Sequence, residues 1–162
     1  MKQLGYEAYP LSVSCTVCNP AMTQKMEEIG DWPRDAAEFD KWTADLGAWN
    51  VSLGIRQLGY SGFVCHLVAI INRHVLVDLS LDQATRPAKN MILHPFASVV
   101  PPAFLEGMPF ITRQDGMLIV YKQTPETGWK LSPNWVNRGQ YEPVVEAVYQ
   151  KVMQGRVSYS DT

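Results

Sequence analysis

The sequence has no long hydrophobic run, few cysteines and no excess of either charge. No stretch of about 18 consecutive apolar residues, the length that spans a bilayer, occurs in the 162-residue chain. The first residues, MKQLGYEAYPLSVS, contain no apolar core followed by a small-residue cleavage site, which argues against a secretory signal. Three cysteines are an odd number, which argues against a disulfide framework. We therefore predict a cytoplasmic protein without membrane association.

The balance of charges narrows the classes of molecule that the protein is expected to bind. The chain carries 14 lysines and arginines against 16 aspartates and glutamates, and the basic residues are scattered along it. Nucleic-acid binding usually requires a basic patch or stripe, so no nucleic-acid partner is expected. The length allows one good core, and an apolar fraction of 46% is ordinary for a globular protein. We predict a single domain over residues 1–155, followed by a frayed tail at 156–162.

Start and stop signals locate two helices early in the chain. Asn19 can cap a helix that has Pro20 at its first position and Gly30 after its end. A second helix is predicted to begin at Asp35 and to end at Leu46. The apolar side chains expected to face the core are Met22, Met26 and Ile29 in the first helix, and Phe39, Trp42 and Leu46 in the second.

The remaining patterns complete an α+β domain, in which helices flank an antiparallel sheet. Residues 84–109 contain five prolines, so this segment is expected to wrap over the sheet without regular structure. It is predicted to bury Ile92, Leu93, Phe96, Val99 and Phe104. The other predicted elements are a strand at 9–17, a hairpin at 110–122 that turns at Asp115-Gly116, a strand at 129–131 and a helix that starts at Pro143 and ends before Gly155.

The most informative segment places His66 at the head of one apolar strand and Asp78 at the foot of the next. If the hairpin loop has two residues, the two side chains point to opposite faces; if residues 72–74 form a three-residue loop, they share a face. Asn72 and His74 tolerate the left-handed backbone that such a loop needs. A paired histidine and carboxylate would make an oriented general base. Asp82 competes with Asp78 as the partner of His66.

The neighbourhood of that hairpin resembles a known group of enzymes. HLVAIINRHVLVDLSLDQATRP (66–87) resembles the His and Asp segments of transglutaminase-like and arylamine N-acetyltransferase-like enzymes, above all bacterial transglutaminase-like proteins of unassigned substrate. LGYEAYPLSVSCTVCNPA (4–21) is similar to the strand that follows their nucleophile-bearing helix. The resemblance covers about half the chain and implies a transglutaminase-like core, with His66 as base and Asp78 as its orienter. We expect no counterpart of the nucleophile helix before this segment.

The cysteines and the other polar candidates have competing roles. Cys15 is the candidate for a relocated nucleophile, although a strand thiol lacks the helix dipole that usually lowers the thiol pKa. Cys15 and Cys18 have C-x-x-C spacing, but they are predicted to lie on a strand and to lack further paired ligands, so neither a redox nor a metal site is expected. Cys65 is predicted to be a small core residue. Gln83 could donate to an oxyanion or fix its own loop.

Two classes of function follow. The first is a degenerate or partial cysteine acyltransferase or hydrolase, with His66 as base, Asp78 as orienter and a thiol from Cys15 or from a partner chain. The second is a protein-interaction or ligand-binding module of the same fold, or of an unrelated α+β fold, that performs no chemistry. No cofactor is expected. The expected partner is another protein chain or a small acyl or amide substrate.

Overall fold

The computed structural model describes residues 6–55, 64–131, 133–143, 146, 147 and 150. The strands of this part are β1 (Ala8–Cys18), β2 (Asn50–Leu53), β3 (His66–Ile71), β4 (Val75–Asp78), β5 (Phe96–Val99), β6 (Phe110–Gln114) and β7 (Met117–Gln123). They pair antiparallel into one curled sheet in the order β5-β4-β3-β1-β7-β6, and β2 pairs with β1. The α-helices are α1 (Pro20–Ile29), α2 (Ala36–Leu46), α3 (Pro102–Leu105) and α4 (Pro133–Val136). The predicted α+β class is therefore confirmed.

Strand β1 is the centre of the sheet. One of its edges pairs with β3 over residues 8–13 and with β2 over residues 15–18, while its other edge pairs with β7 over residues 13–18. The strand predicted at 9–17 is thus confirmed and is one residue longer at each end. Since β1 contacts three strands, a side chain on it can meet residues from distant parts of the chain. None of the described helices is long and apolar enough to cross a membrane.

Helix α1 begins and ends where the sequence predicted, and α2 begins one residue later than predicted, with Asp35 as its cap. The side chain of Asn19 accepts a hydrogen bond from the Met22 backbone N–H, and Pro20 occupies the first turn of α1. The side chain of Asp35 accepts in the same way from the Glu38 N–H at the start of α2. Glycines in the left-handed conformation terminate both helices, as is common at helix C-termini.

The predicted apolar faces of these helices are only partly correct. Met22, Met26 and Trp42 are buried, and together with Cys18 they form a small core between the helices and the sheet. Ile29 and Leu46 were predicted to join them, but each is 49% exposed. Each of the two lies in the last turn of its helix, beside the terminating glycine, where the side chain faces solvent.

The main core lies on the other face of the sheet, beneath the proline-rich segment. Leu93 and Phe104 are buried there, as predicted for a segment that wraps over the sheet. The segment also forms β5, which the prolines had argued against. Because side chains alternate along that strand, Val99 points outward, and Ile92 is exposed as well; burial of both was a wrong prediction. The half-buried Phe96 packs against the core.

The second predicted hairpin is confirmed, and the C-terminal elements differ from expectation. Asp115 (φ 49°) and Gly116 (φ 79°) form a two-residue turn between β6 and β7 with both residues left-handed. A strand was predicted at 129–131, but Gly128–Leu131 is a 3₁₀ helix. Hydrogen bonds within this segment, including Lys130 N–H to the Thr127 carbonyl, favour the helical turn over strand pairing. The predicted helix from Pro143 to the residue before Gly155 and the tail at 156–162 fall largely outside the described residues.

Four short 3₁₀ helices complete the described chain. They are Leu81–Ala84, Pro87–Lys89, Gly128–Leu131 and Arg138–Tyr141. In the first of them Leu81 and Ala84 are buried in the main core.

Candidate active site

The β3–β4 hairpin has the three-residue loop that brings His66 and Asp78 together. Ile71 pairs with Val75, so residues 72–74 form the loop. Asn72 adopts the left-handed conformation, as expected, and Arg73 adopts it in place of His74. The imidazole and the carboxylate therefore lie on the same face, toward the main core.

The resulting pair is short and buried. His66 Nε2 lies 2.7 Å from Asp78 Oδ2; His66 is 5% exposed and Asp78 is 0% exposed. A carboxylate only accepts hydrogen bonds, so Nε2 is the donor, and in the neutral ring the lone pair resides on Nδ1. Among the described residues, none forms a hydrogen bond to Nδ1. The ring is thus held in place through Nε2, and Nδ1 is the nitrogen that carries the lone pair.

Three further donors satisfy the buried carboxylate. Tyr121 OH, from β7, donates to Oδ2 over 3.0 Å. The backbone N–H and the hydroxyl of Ser80 donate to Oδ1 over 3.1 Å and 3.4 Å. A buried carboxylate is tolerated only when it is hydrogen-bonded in this way. Asp78 is therefore fixed in position, and it fixes the imidazole of His66 in turn.

Gly54 packs against the start of the strand that carries His66. A Cβ atom on Gly54 would lie 2.5 Å from His66 N and 2.5 Å from Val13 O, and the residue has a φ of 71°. Only glycine combines that conformation with so close an approach. The position of the His66 backbone thus depends on this glycine, which follows the short strand β2.

Cys15 joins the same network through Tyr121. It is the register partner of Tyr121, and the two side chains are within hydrogen-bonding reach. Burial, together with the nearby charge of Asp78, raises the pKa of the Cys15 thiol far above its ordinary value. Burial also raises the pKa of Tyr121, with contributions from Cys15 and Asp78. Cys15 lies on β1, the strand that pairs with the strand of His66, and its side chain faces the same core.

The other two thiols are not activated either. Cys18 belongs to the small core on the opposite face from Cys15, and burial raises its pKa to about 12. The C-x-x-C spacing therefore does not bring its two sulfur atoms together. Cys65, predicted to be a core residue, is half-buried; burial raises its pKa, and its thiol lies beside Ser12. Within the described ranges, no group of three or more His, Cys, Asp or Glu residues could hold a metal ion.

The competing candidates lie at the surface. Asp82 and Gln83 are exposed in the 3₁₀ helix after β4, and it is Asp78 that pairs with His66. His74 is exposed at the hairpin tip, where its Nδ1 contacts the Asn72 carbonyl over 2.7 Å. His94 is exposed in the proline-rich segment.

Sequence reasoning missed Tyr121, Ser80 and Gly54. Tyr121 alternates with Ile119 on a predicted strand, so its burial was readable from the pattern, but its contact with Asp78 depends on strand pairing across the sheet.

Comparison with known proteins finds no family model, no curated protein and no solved structure that matches this chain. The transglutaminase-like core therefore stays a prediction.

Proposed function

We propose that this chain supplies the general base of a cysteine acyl-transfer site, and that the nucleophilic thiol belongs to a partner polypeptide. The observation that carries this proposal is the buried His66–Asp78 pair, 2.7 Å apart, in which Nδ1 forms no hydrogen bond to any described residue. The resemblance of residues 66–87 to transglutaminase-like enzymes supports the same roles for these two residues.

The chain's own cysteines explain why the thiol is assigned to a partner. A cysteine nucleophile must reach the thiolate state near neutral pH, which requires a lowered pKa or an adjacent base. The pKa of each of the three thiols is raised, and burial is the main cause in each case. For Cys15, the candidate from the sequence, the charge of Asp78 adds to burial in opposing the thiolate.

The proposed reaction uses the imidazole twice. In the first stage, the proton of the partner's thiol moves to His66 Nδ1, and the thiolate attacks the carbonyl carbon of an ester, thioester or amide. The bond from that carbon to the leaving group breaks, and the imidazolium returns its proton to the leaving group. In the second stage, water or an amine attacks the thioester, gives its proton to Nδ1, and the thiolate departs and is reprotonated.

Asp78 serves this cycle by holding the ring. Its carboxylate keeps the proton of the neutral ring on Nε2, and it stabilises the imidazolium that forms in each stage. Tyr121 and Ser80 hold the carboxylate itself through three hydrogen bonds. General-base catalysis of this kind contributes a factor of about 10²–10⁴ to the rate.

A small thiol can stand in for the partner in the first test. N-acetylcysteine methyl ester would be incubated with p-nitrophenyl acetate and the purified protein, and the S-acetylated product would be quantified by mass. We expect the protein-dependent rate to fall by about 10²-fold in His66→Ala and by at least about tenfold in Asp78→Asn. The control variants His74→Ala and Asp82→Asn change exposed residues of the same types and should keep the rate. Equal rates in wild type and His66→Ala would contradict the proposal.

A further inference from the structure

The outer face of the sheet, opposite His66, is apolar over three neighbouring strands. Successive side chains of a strand point to opposite faces, and on β3 the buried residues His66, Val68 and Ile70 point to the main core. The outward positions of β3, β4 and β5 carry no polar side chain. They are Leu67, Ala69, Ile71, Val75, Val77, Ala97 and Val99. An antiparallel sheet with one solvated face normally has polar residues at such positions.

The outward residues of β3 and β4 form a patch that no described core includes. This outer patch consists of Leu67, Ala69, Ile71, Val75 and Val77, which are half-buried. None of the five belongs to either core that the described residues form. Elsewhere on the same face, the outward residues include Ser14, Thr16, Arg113 and Lys122. Because a contiguous apolar surface marks a place where another apolar surface packs, the outer patch is a docking surface. The proposed acyl-transfer chemistry lies on the other face and does not use it.

The chain reaches this side of the sheet after β7. Ser12 is an outward residue of β1, and its Oγ accepts a hydrogen bond from Trp129 Nε1 over 2.8 Å. The rings of Trp129 and Trp135 meet edge to face, with centroids 4.5 Å apart. Trp135 lines the same surface cleft as Pro10, whose register partner on β3 is Ala69 of the outer patch. The described chain therefore lies beside the outer patch shortly before the predicted C-terminal helix begins.

The residues that follow combine an exposed polar side with an apolar one. Glu142, Pro143, Glu146, Ala147 and Gln150 have helical backbone and are exposed. At about 100° per residue, these five residues lie on one side of a helix. The sequence has an apolar residue at each of five positions on the opposite side, namely Val144, Val145, Val148, Tyr149 and Val152. A helix of this pattern is stable when its apolar side packs against another apolar surface.

We propose that the C-terminal segment 142–154 docks on the outer patch of its own chain as an amphipathic helix. A helix of these residues is about 20 Å long, and the strands from β1 to β5 span about 14 Å, so one helix crosses the whole patch. The exposed carboxylates of Glu142 and Glu146 then face away from the sheet. A second copy or another protein would compete with a segment that is tethered beside the patch and therefore has a high effective concentration.

Thiol labelling tests whether the segment covers the outer patch. In Val77→Cys, the rate of modification by N-ethylmaleimide would be measured for each cysteine by peptide mass. Adding Val148→Asp places a charge on the apolar side of the helix and should raise the rate at the introduced thiol by at least about tenfold. Adding Ala147→Asp instead changes the neighbouring, exposed residue and should leave the rate unchanged. Cys15 is buried in the main core and should stay unlabelled throughout, which shows that the core remains folded.

Protein concentration and the wild-type chain identify the occupant. The rate at the introduced thiol should not depend on protein concentration, because a tethered segment is not lost on dilution. In wild-type protein labelled at its valine methyl groups, nuclear Overhauser effects should connect Val148 with Val75 or Val77. The proposal is overturned if dilution removes the protection, which would mean that a second copy covers the patch. It is also overturned if Val148→Asp and Ala147→Asp have the same effect while Cys15 stays unlabelled, or if no valine of 144–152 shows an Overhauser effect to the outer patch.

Discussion

Alkaline pH should destabilise this protein through its buried thiols and Tyr121. In the unfolded chain Cys15 and Cys18 ionise with an ordinary pKa of 9.0, and Tyr121 with one of 10.0. In the folded protein the pKa of all three is raised, so the folded state keeps protons that the unfolded state loses. The free energy of unfolding must therefore fall as the pH rises through about 9, and the effect is negligible below about pH 8.

The size of the effect follows from the proton count. Between about pH 8 and about pH 10, each thiol that stays protonated when folded lowers the free energy of unfolding by about 1.4 kcal/mol. Tyr121 adds about 0.4 kcal/mol, because its unfolded form is only half ionised at about pH 10. The three groups together predict a loss of about 3 kcal/mol, a large part of the stability of a typical domain.

Urea unfolding across this pH range measures the loss directly, and a thiol deletion isolates one contribution. Cys15→Ala should reduce the loss between about pH 8 and about pH 10 by about 1.4 kcal/mol, whatever its effect at lower pH. Cys65→Ala is the control, since its half-buried thiol should change the loss by less. If Cys15→Ala leaves the loss unchanged, Cys15 ionises in the folded protein, and the assignment of the nucleophile to a partner is wrong.

Two further substitutions test the local geometry by thermal or urea unfolding. Gly54→Ala should lower the free energy of unfolding by well over about 3 kcal/mol. In the control Gly47→Ala, the glycine has a similar φ of 68° and no atom lies near the added Cβ, so the loss should be only about 1 kcal/mol. Similar losses in the two variants would show that the close contact at His66 is not tight. Asn19→Ala removes four hydrogen bonds, to the backbone at residues 22, 47, 49 and 89, and should cost about 3 kcal/mol. The simpler helix cap in Asp35→Ala should cost about 1 kcal/mol, and equal losses for these two would contradict a bridging role for Asn19.

Short-range signals in the sequence predicted many of the elements of the fold. The caps of α1 and α2 depend on residues within one helical turn, and the turn of the second hairpin depends on Asp115-Gly116, so each was predictable from neighbours alone. The His66–Asp78 pair was predictable up to one binary choice, the length of the loop between their strands. The structure has the three-residue loop, in which Asn72 and Arg73 adopt left-handed conformations.

The rest depends on contacts between distant segments. Tyr121 reaches Asp78 only because β7 pairs with one edge of β1 while β3 pairs with the other, and no local pattern states that order. Gly54 could not be singled out from the sequence, because its close approach to His66 exists only after β2 and β3 are both aligned on β1. Strand β5 was missed because prolines on either side of it argue against regular structure, although none lies within it.

The protonation site of His66 shows directly whether Asp78 holds the ring as a base. Long-range ¹H–¹⁵N NMR distinguishes the two ring nitrogens, and the account predicts that the neutral ring carries its proton on Nε2, with Nδ1 unprotonated. In Asp78→Asn the amide NH₂ can take the place of Oδ2 while the amide oxygen keeps the bonds to Ser80, so the proton should move to Nδ1; Asp82→Asn should leave the ring as in wild type. A wild-type ring protonated at Nδ1, or one that Asp78→Asn does not change, would contradict the claim that Asp78 holds His66 as a base.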